Sequence, residues 1–336
     1  MSTPVTTGNR IAVLGAGAWG TALALSLAQQ QELTLWCYAA ADASRMATTR
    51  RNDDFLPGFE LPESIHITSD LQAAATADIL LCVVPSQFMR STMQALRPFL
   101  RADHILVSAT KGIEDQTYLR MSEVMQQVLG TSLHLGVLSG PSFAKEVAQH
   151  MPTAITIASA DPALAQRIQR LFSSPSLRLY TNDDVIGVEL GGSLKNVIAL
   201  SAGVVAGLGL GSNTSAALIT RGISEITRLA ITCGGHQQTL AGLSGVGDLV
   251  LTCNGALSRN RGVGFELGRG RKLPEILEGL HGQVAEGVGS TTAALGLARR
   301  YNVEMPITEQ MEAILHHGKS PKEAIRELMS RPGRDE

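Results

Sequence analysis

The residues that could do chemistry come in short runs. The first is Gly15-Ala-Gly17-Ala18-Trp19-Gly20. In this G-x-G-x-x-G the glycines serve in turn a tight turn, backbone approach to a pyrophosphate, and close helix–strand packing. The phosphates then rest on the free N–H groups of a helix N-terminus. An ordinary glycine turn would look the same in isolation. Here, however, an apolar run, Ile11–Leu14, precedes the motif and a helical pattern, Ala18–Gln30, follows it. Trp19, inside the loop, either covers the pyrophosphate or packs beneath it. The second run is Thr110-Lys111-Gly112, at the end of the apolar segment His104–Ala109. Ligands of open α/β sheets bind at the carboxyl ends of strands, which places Lys111 to meet a substrate. A surface lysine in a loop is the plain alternative.

The third run, Gly187-Val-Glu-Leu-Gly191-Gly192-Ser-Leu-Lys195-Asn196, reads as a helix. Lys195 then shares a small, apolar face with Gly191, Gly192, Ile198, Ala199 and Ala202. Two mid-helix glycines cost about 1 kcal/mol each relative to alanine, so something is expected to pack closely there. A lysine on such a face loses hydration, and desolvation lowers its pKa toward the range where it can exchange a proton near neutral pH. A lysine paired with an acid inside a helix bundle is the structural alternative. The fourth run, Leu243–Asn254, puts Asp248 in a glycine-rich bend that presents its carboxylate from backbone, and Ser258-Arg259-Asn260 follows. Arg259 and Asn260 form a fork of donors suited to phosphate. The basic residues from Arg259 to Lys272, opposed only by Glu266, raise a nucleic-acid patch as a rival. Aromatic interleaving is absent, and the chain is not basic overall, so no nucleic-acid partner is expected. Gln283-Val284-Ala-Glu286-Gly287 says little by itself.

The end of the second strand should select the cofactor, because NAD readers carry an acid there for the ribose hydroxyls. Trp36-Cys37-Tyr38-Ala39-Ala40 has none before Asp42, and Arg45, Arg50 and Arg51 follow. The missing acid and the nearby arginines lean toward a 2′-phosphate, hence NADP; a solvated arginine face is the alternative.

These residues need elements to hold them. Apolar runs at Ile11–Leu14, Leu33–Cys37, Asp78–Val84, His104–Ala109, His134–Leu138 and Thr153–Ala158 alternate with helical patterns, without hairpin signals. That pattern predicts a parallel α/β sheet. Beyond about residue 185 the strand signal stops. The expected architecture is a Rossmann-like, mostly parallel sheet domain over residues 1–186, followed by an all-helical domain over residues 187–336. The composition agrees: 44% hydrophobic and 17% charged residues exclude disorder, and 28 − 30 = −2 excludes a chain built to coat nucleic acid or an anionic membrane. Cys37, Cys82, Cys233 and Cys253 form no C-x-x-C pair, which reads as reduced thiols in a cytoplasmic protein. The histidines show no zinc spacing, so no metal is expected. Met1–Arg10 lacks an apolar signal core. The greasiest stretch, Val197–Leu210, is shorter than the roughly 18 residues of a spanning helix and reads as a core helix, so no membrane span is expected.

Taken together, Gly15–Ala24, Lys111–Glu114, Gly140-Pro-Ser-Phe-Ala-Lys-Glu146, Gly192–Val197, Gly245–Cys253, Ser258–Arg261 and Ala285–Gly287 resemble the bacterial-type NAD(P)-dependent sn-glycerol-3-phosphate dehydrogenases, in the family's order and over residues 10 to about 310. The resemblance implies reversible reduction of dihydroxyacetone phosphate with NADPH or NADH, supplying glycerol phosphate for phospholipid synthesis, and a homodimer. It assigns proton exchange to Lys195 and binding and polarisation of the substrate to Lys111. Asp248, Ser258, Arg259 and Asn260 are implied as substrate contacts, with Arg259 and Asn260 near the phosphate; Gly140, Ser142 and Thr252 are also expected on the substrate side. Ala18, Trp19, Tyr38, Ala144, Val284 and Glu286 join Gly15, Gly17, Gly20, Lys111 and Arg259 as cofactor positions. The family often has a basic residue where this chain has Tyr38-Ala39. A ketopantoate- or hydroxyisobutyrate-type reductase is the alternative enzyme, disfavoured by Ser258-Arg259-Asn260; a non-catalytic nucleotide sensor would need only Gly15–Gly20.

Overall fold

The computed structural model describes residues 9–130, 133–280 and 284–333; most of the N-terminal segment Met1–Arg10 and Gln283 lie outside them. Among the described residues, eight strands form one sheet: β1 (Ile11–Leu14), β2 (Leu33–Trp36), β3 (Ile65–Thr68), β4 (Ile79–Cys82), β5 (Ile105–Ser108), β6 (His134–Ser139), β7 (Thr153–Ala158) and β8 (Leu177–Asn182). Their spatial order is β3-β2-β1-β4-β5-β6-β7-β8. β1, β4 and β5 are buried along their whole length, as continuous apolar runs require when helices cover both faces. The order reverses between β1 and β4, and this switch point opens a crevice at their carboxyl ends.

Two expectations from sequence need correction. β6 and β7 pair antiparallel, Val137 opposite Ala158, although no hairpin signal separates them. The connection contains only the short helix Ala144–Ala148, which packs on the glycine-loop helix Ala18–Leu27. The chain therefore re-enters the sheet from the same end and runs back. β3 and β8 are further strands that the apolar-run criterion passed over. Both are edge strands that alternate buried and exposed residues, such as Leu177, Arg178, Leu179 and Tyr180 in β8.

After β8 the described chain is helical. Asp184 caps the long helix Val185–Gly207: its Oδ1 accepts from Gly187 N at 2.7 Å, and its Oδ2 accepts from His236 N at 2.8 Å. This helix is longer than the greasy stretch seen in sequence and is, by length and hydropathy, able to cross a membrane, but 89% of its most apolar window is buried inside the protein. It packs along helix Arg259–Gly268 at backbone contact. A methyl group on Gly203 would strike the Arg261 carbonyl, and one on Gly264 the Leu200 carbonyl.

Candidate active site

The crevice at the switch point is a cavity of about 490 Å³. Its walls are the glycine turn after β1, Tyr38 and Ala39 after β2, Val83–Pro85 after β4, and Ala109–Lys111 after β5. Gly15 adopts φ +122°, open only to glycine without strain, and a side chain there would press on the Val83 backbone. Gly20 lies so close to the Gly15 carbonyl that no side chain fits. Gly17 meets open space: a Cβ would touch nothing within 4 Å. The helix behind it starts at Ala18 with no side-chain cap, which leaves its first N–H groups for an anion. Trp19 packs on the core beneath the loop while still lining the cavity, and its indole N–H is buried without an acceptor. A tight turn, an open central glycine, uncapped amides and an orphaned donor fit a dinucleotide.

A second cavity of about 310 Å³ adjoins the first; Ala18, Trp19, Lys111, Arg259, Val284 and Glu286 line both. Lys195 forms its floor. The glycine pair explains how the lysine reaches this spot. A methyl group on Gly191 would collide with the Ser244 carbonyl, and one on Gly192 with the Ser139 hydroxyl. The long helix can therefore press against the end of β6 and the turn Leu243–Gly247. That turn is a single π-helical turn running straight into helix Asp248–Asn254, so Asp248 is the first residue of a helix rather than part of an open bend.

The sequence left Lys195 as either desolvated or paired, and the structure makes it both. Its ammonium donates to Asp248 Oδ1, and Lys111 Nζ donates to Asp248 Oδ2 at 2.7 Å. Lys111 Nζ also donates to the Gly140 carbonyl at 3.1 Å, and Ser142 Oγ donates to the same carbonyl at 2.9 Å. The Gly140 carbonyl thus anchors Lys111 and is shared with Ser142. Asp248 is 0% exposed and, bound to both lysines, is not part of the cavity wall. Burial drives the Lys195 amine down to about 7; Asp248 opposes that shift and Lys111 reinforces it. One carboxylate between two lysines leaves an excess positive charge facing the cavity.

Arg259 reaches both cavities, where its charge acts on Glu286 and is available to an anionic ligand. Asn260 is more committed than its sequence suggested: Nδ2 donates to Asn196 Oδ1 at 2.9 Å, and Oδ1 accepts from Gly287 N at 3.0 Å. Ser258 caps helix Arg259–Gly268 by accepting from Arg261 N at 3.2 Å, and Thr252 Oγ1 donates to the Asp248 carbonyl at 2.6 Å. Both still line the smaller cavity. Desolvation pushes the Glu286 carboxyl up to about 7, with Arg259, Lys111 and Lys195 opposing. Ala144 lines the smaller cavity only.

Sequence reasoning missed several residues. Asn196 ties Asn260, and Phe88 is an exposed aromatic in the larger cavity. Asn52 donates from its buried amide to the Ala16 carbonyl at 2.8 Å and to Thr21 Oγ1 at 2.7 Å, which pins the glycine loop. Asn196 lies inside the Gly192–Val197 segment, which assigns it no role; Asn52 and Phe88 lie in no motif. The expected 2′-phosphate arginines are not at the cavity: none of Arg45, Arg50 and Arg51 lines it, whereas Asp42 does. Among the described residues no group of three or more His, Cys, Asp or Glu side chains could hold a metal ion.

Hydride exchange with a dinucleotide needs a proton source at the reacting oxygen, and here a desolvated amine stands where the dinucleotide crevice meets a pocket for an anion. The molecule is of the dinucleotide-dependent dehydrogenase class. Comparison with known proteins narrows that class. Residues 10–165 match the model of the NAD-dependent glycerol-3-phosphate dehydrogenase N-terminus, and residues 184–326 match that of its C-terminus. A curated relative named glycerol-3-phosphate dehydrogenase, NAD(P)+, from Acidobacterium capsulatum is 57% identical, over 98% of this chain and 100% of its own length. A relative of the same name from Geobacter sulfurreducens is 53% identical, over 96% and 97%. The crystal structure of glycerol-3-phosphate dehydrogenase from Coxiella burnetii superposes with a TM-score of 0.93 at 40% identity, covering 96% of this chain and 99% of that one. The chain belongs to the NAD-dependent glycerol-3-phosphate dehydrogenase family.

Proposed function

We propose that this chain reduces dihydroxyacetone phosphate to sn-glycerol 3-phosphate, reversibly, at the junction of the two cavities. The observation that carries the reading is the Lys195–Asp248–Lys111 cluster facing Arg259 across the smaller cavity. When bound in the larger cavity, the reduced nicotinamide supplies the hydride for the ketone carbon. Arg259 holds the phosphate, with Ser258 and Asn260 beside it. The phosphate is remote from the reacting carbon, so its binding energy serves to orient the carbonyl. Lys111 and Lys195 point positive charge at the oxygen as it becomes an alkoxide. Lys195 Nζ then gives its proton to that oxygen and is left neutral, to be reprotonated from solvent; in the reverse direction the neutral amine takes the hydroxyl proton. Asp248 keeps both amines aimed and balances part of their charge. Gly15, Gly17, Gly20, Ala18 and Trp19 cradle the dinucleotide, Tyr38 flanks its adenosine half, and Ala144, Val284 and Glu286 border its nicotinamide end.

A ketopantoate-type reductase shares the fold: one from Ralstonia eutropha superposes with a TM-score of 0.56 at 17% identity. The Arg259 guanidinium beside Ser258, in the walls of both cavities, favours the phosphorylated substrate over that alternative. The homodimer, the cytoplasmic location and the supply of glycerol phosphate to phospholipids rest on the family resemblance. The test is a spectrophotometric assay of NADH and NADPH oxidation with dihydroxyacetone phosphate. Substrate-dependent oxidation is expected. Its absence with both coenzymes, in protein shown to be folded, would overturn the reading.

A further inference from the structure

Among the described residues, none of the arginines that follow the second strand lines the nucleotide crevice as a clamp for a 2′-phosphate. Where the second strand of this fold reads the ribose, the wall is Tyr38, Ala39 and Asp42, the last in the first turn of helix Ala40–Thr49. Arg45, one turn further on, points its guanidinium at two carboxylates, Asp42 Oδ1 at 2.9 Å and Asp54 Oδ2 at 2.5 Å. Arg50 has turned into the loop that follows, where it donates to the carbonyls of Leu61, Pro62 and Ile65. Arg51 pairs with Asp53 at 3.1 Å. Arg259 and Lys111 also line the crevice, but at the end shared with the substrate cavity.

We propose that this chain selects NADH over NADPH, and that the Asp42–Arg45–Asp54 arrangement sets the choice. The proposal rests on the dinucleotide reading of the crevice. A ribose 2′-hydroxyl can donate to a carboxylate, whereas a phosphate near neutral pH is dianionic or nearly so and meets Asp42 as a like charge. Arg45, the cation paired with Asp42, is already shared by two acids. Specificity here comes from repulsion and a withheld partner as much as from attraction.

Two measurements test this: the Kd of each coenzyme, read without turnover from quenching of Trp19 and Trp36 in the crevice wall, and steady-state kinetics with dihydroxyacetone phosphate and either coenzyme. The expected kcat/KM is at least about tenfold higher with NADH, equivalent to roughly 1.4 kcal/mol. Asp42→Ala removes the opposing charge and releases Arg45, so the NADH/NADPH ratio should fall by about tenfold or more. Arg45→Ala leaves Asp42 without its cation, so NADPH should gain nothing and the preference for NADH should persist or grow. Raising the salt concentration should improve NADPH relative to NADH, since salt screens exposed like charges. NADPH equal to or better than NADH in rate and Kd, or a preference unchanged in Asp42→Ala, would overturn the selectivity alone. Oxidation of neither coenzyme by folded protein would overturn the dehydrogenase reading and the selectivity with it.

Discussion

Lys195 sits between opposed forces, and its titration is the most direct consequence at the scale of single residues. Burial removes water from the ammonium and lowers its pKa to about 7, while Asp248 pulls the other way. The sign for catalysis follows from which form is needed. Ketone reduction needs the protonated amine, so kcat/KM for reduction should fall as pH rises through about 7. Alcohol oxidation needs the neutral amine, so its rate should rise through the same region; initial-rate pH profiles in both directions check this. Arg259→Ala should chiefly raise KM for dihydroxyacetone phosphate, and an unchanged KM would remove Arg259 from the phosphate site. The sequence made Lys195, Lys111, Asp248 and Arg259 legible as reactive types in telling surroundings. It did not make legible that one carboxylate serves both lysines, because Lys195 and Asp248 are 53 residues apart and meet only through tertiary packing. Asn196 and Asn52 stayed hidden for the same reason: a buried amide reveals its partners only in the fold.

At the scale of elements, the site depends on how closely the long helix Val185–Gly207 approaches its neighbours. Gly203 and Gly264 let it lie against helix Arg259–Gly268, which brings Lys195 and Arg259 to one cavity. Gly203→Ala forces backbone apart and should cost about 1–3 kcal/mol of stability, as overpacked cores do. It should also lower kcat/KM beyond what unfolding explains, readable by comparing denaturant melts with kinetics on the folded fraction. A second tie runs to the same helix from the start of helix Met121–Leu129, which Arg120 caps. Glu189, buried in it, accepts from Arg120 Nη1 at 2.6 Å, from Ser122 N at 2.8 Å and from Ser122 Oγ at 2.6 Å. Arg120 ends the loop that begins at Lys111, so this pair fixes one lysine-bearing segment against the other. Glu189→Ala takes one of two carboxylates from the Arg120 guanidinium, leaving Glu123 at 3.0 Å, and strands the buried Ser122 donors; it should cost about 1–3 kcal/mol in a denaturation experiment, and a loss below about 0.5 kcal/mol would mean the pair is dispensable. Among the elements, β1, β4 and β5 were plain in the sequence because strands covered on both faces are continuous apolar runs. β3 and β8 were not, because an edge strand with one wet face alternates, and a short alternating run carries little signal. The antiparallel turn of β7 was equally silent, since direction is set by where the Ala144–Ala148 helix docks and not by the strand's own residues.

At the scale of the whole molecule, the described chain places a dinucleotide crevice on the sheet and a substrate cavity against the helices, with Lys111 and Arg259 in the walls of both. The chain has two tryptophans, Trp19 and Trp36, and both line the crevice. Coenzyme binding should therefore quench nearly all of the intrinsic tryptophan emission, while dihydroxyacetone phosphate alone should leave most of it; an emission spectrum indifferent to coenzyme would place the dinucleotide elsewhere. That titration also isolates the decisive comparison, the turnover of Lys195→Ala against the parent protein under saturating coenzyme. A positioned general acid contributes roughly a hundred- to ten-thousandfold, and a loss of that size with coenzyme quenching retained is the predicted result. A loss smaller than about tenfold, roughly 1.4 kcal/mol of barrier, would contradict the assignment of the transferred proton to this amine.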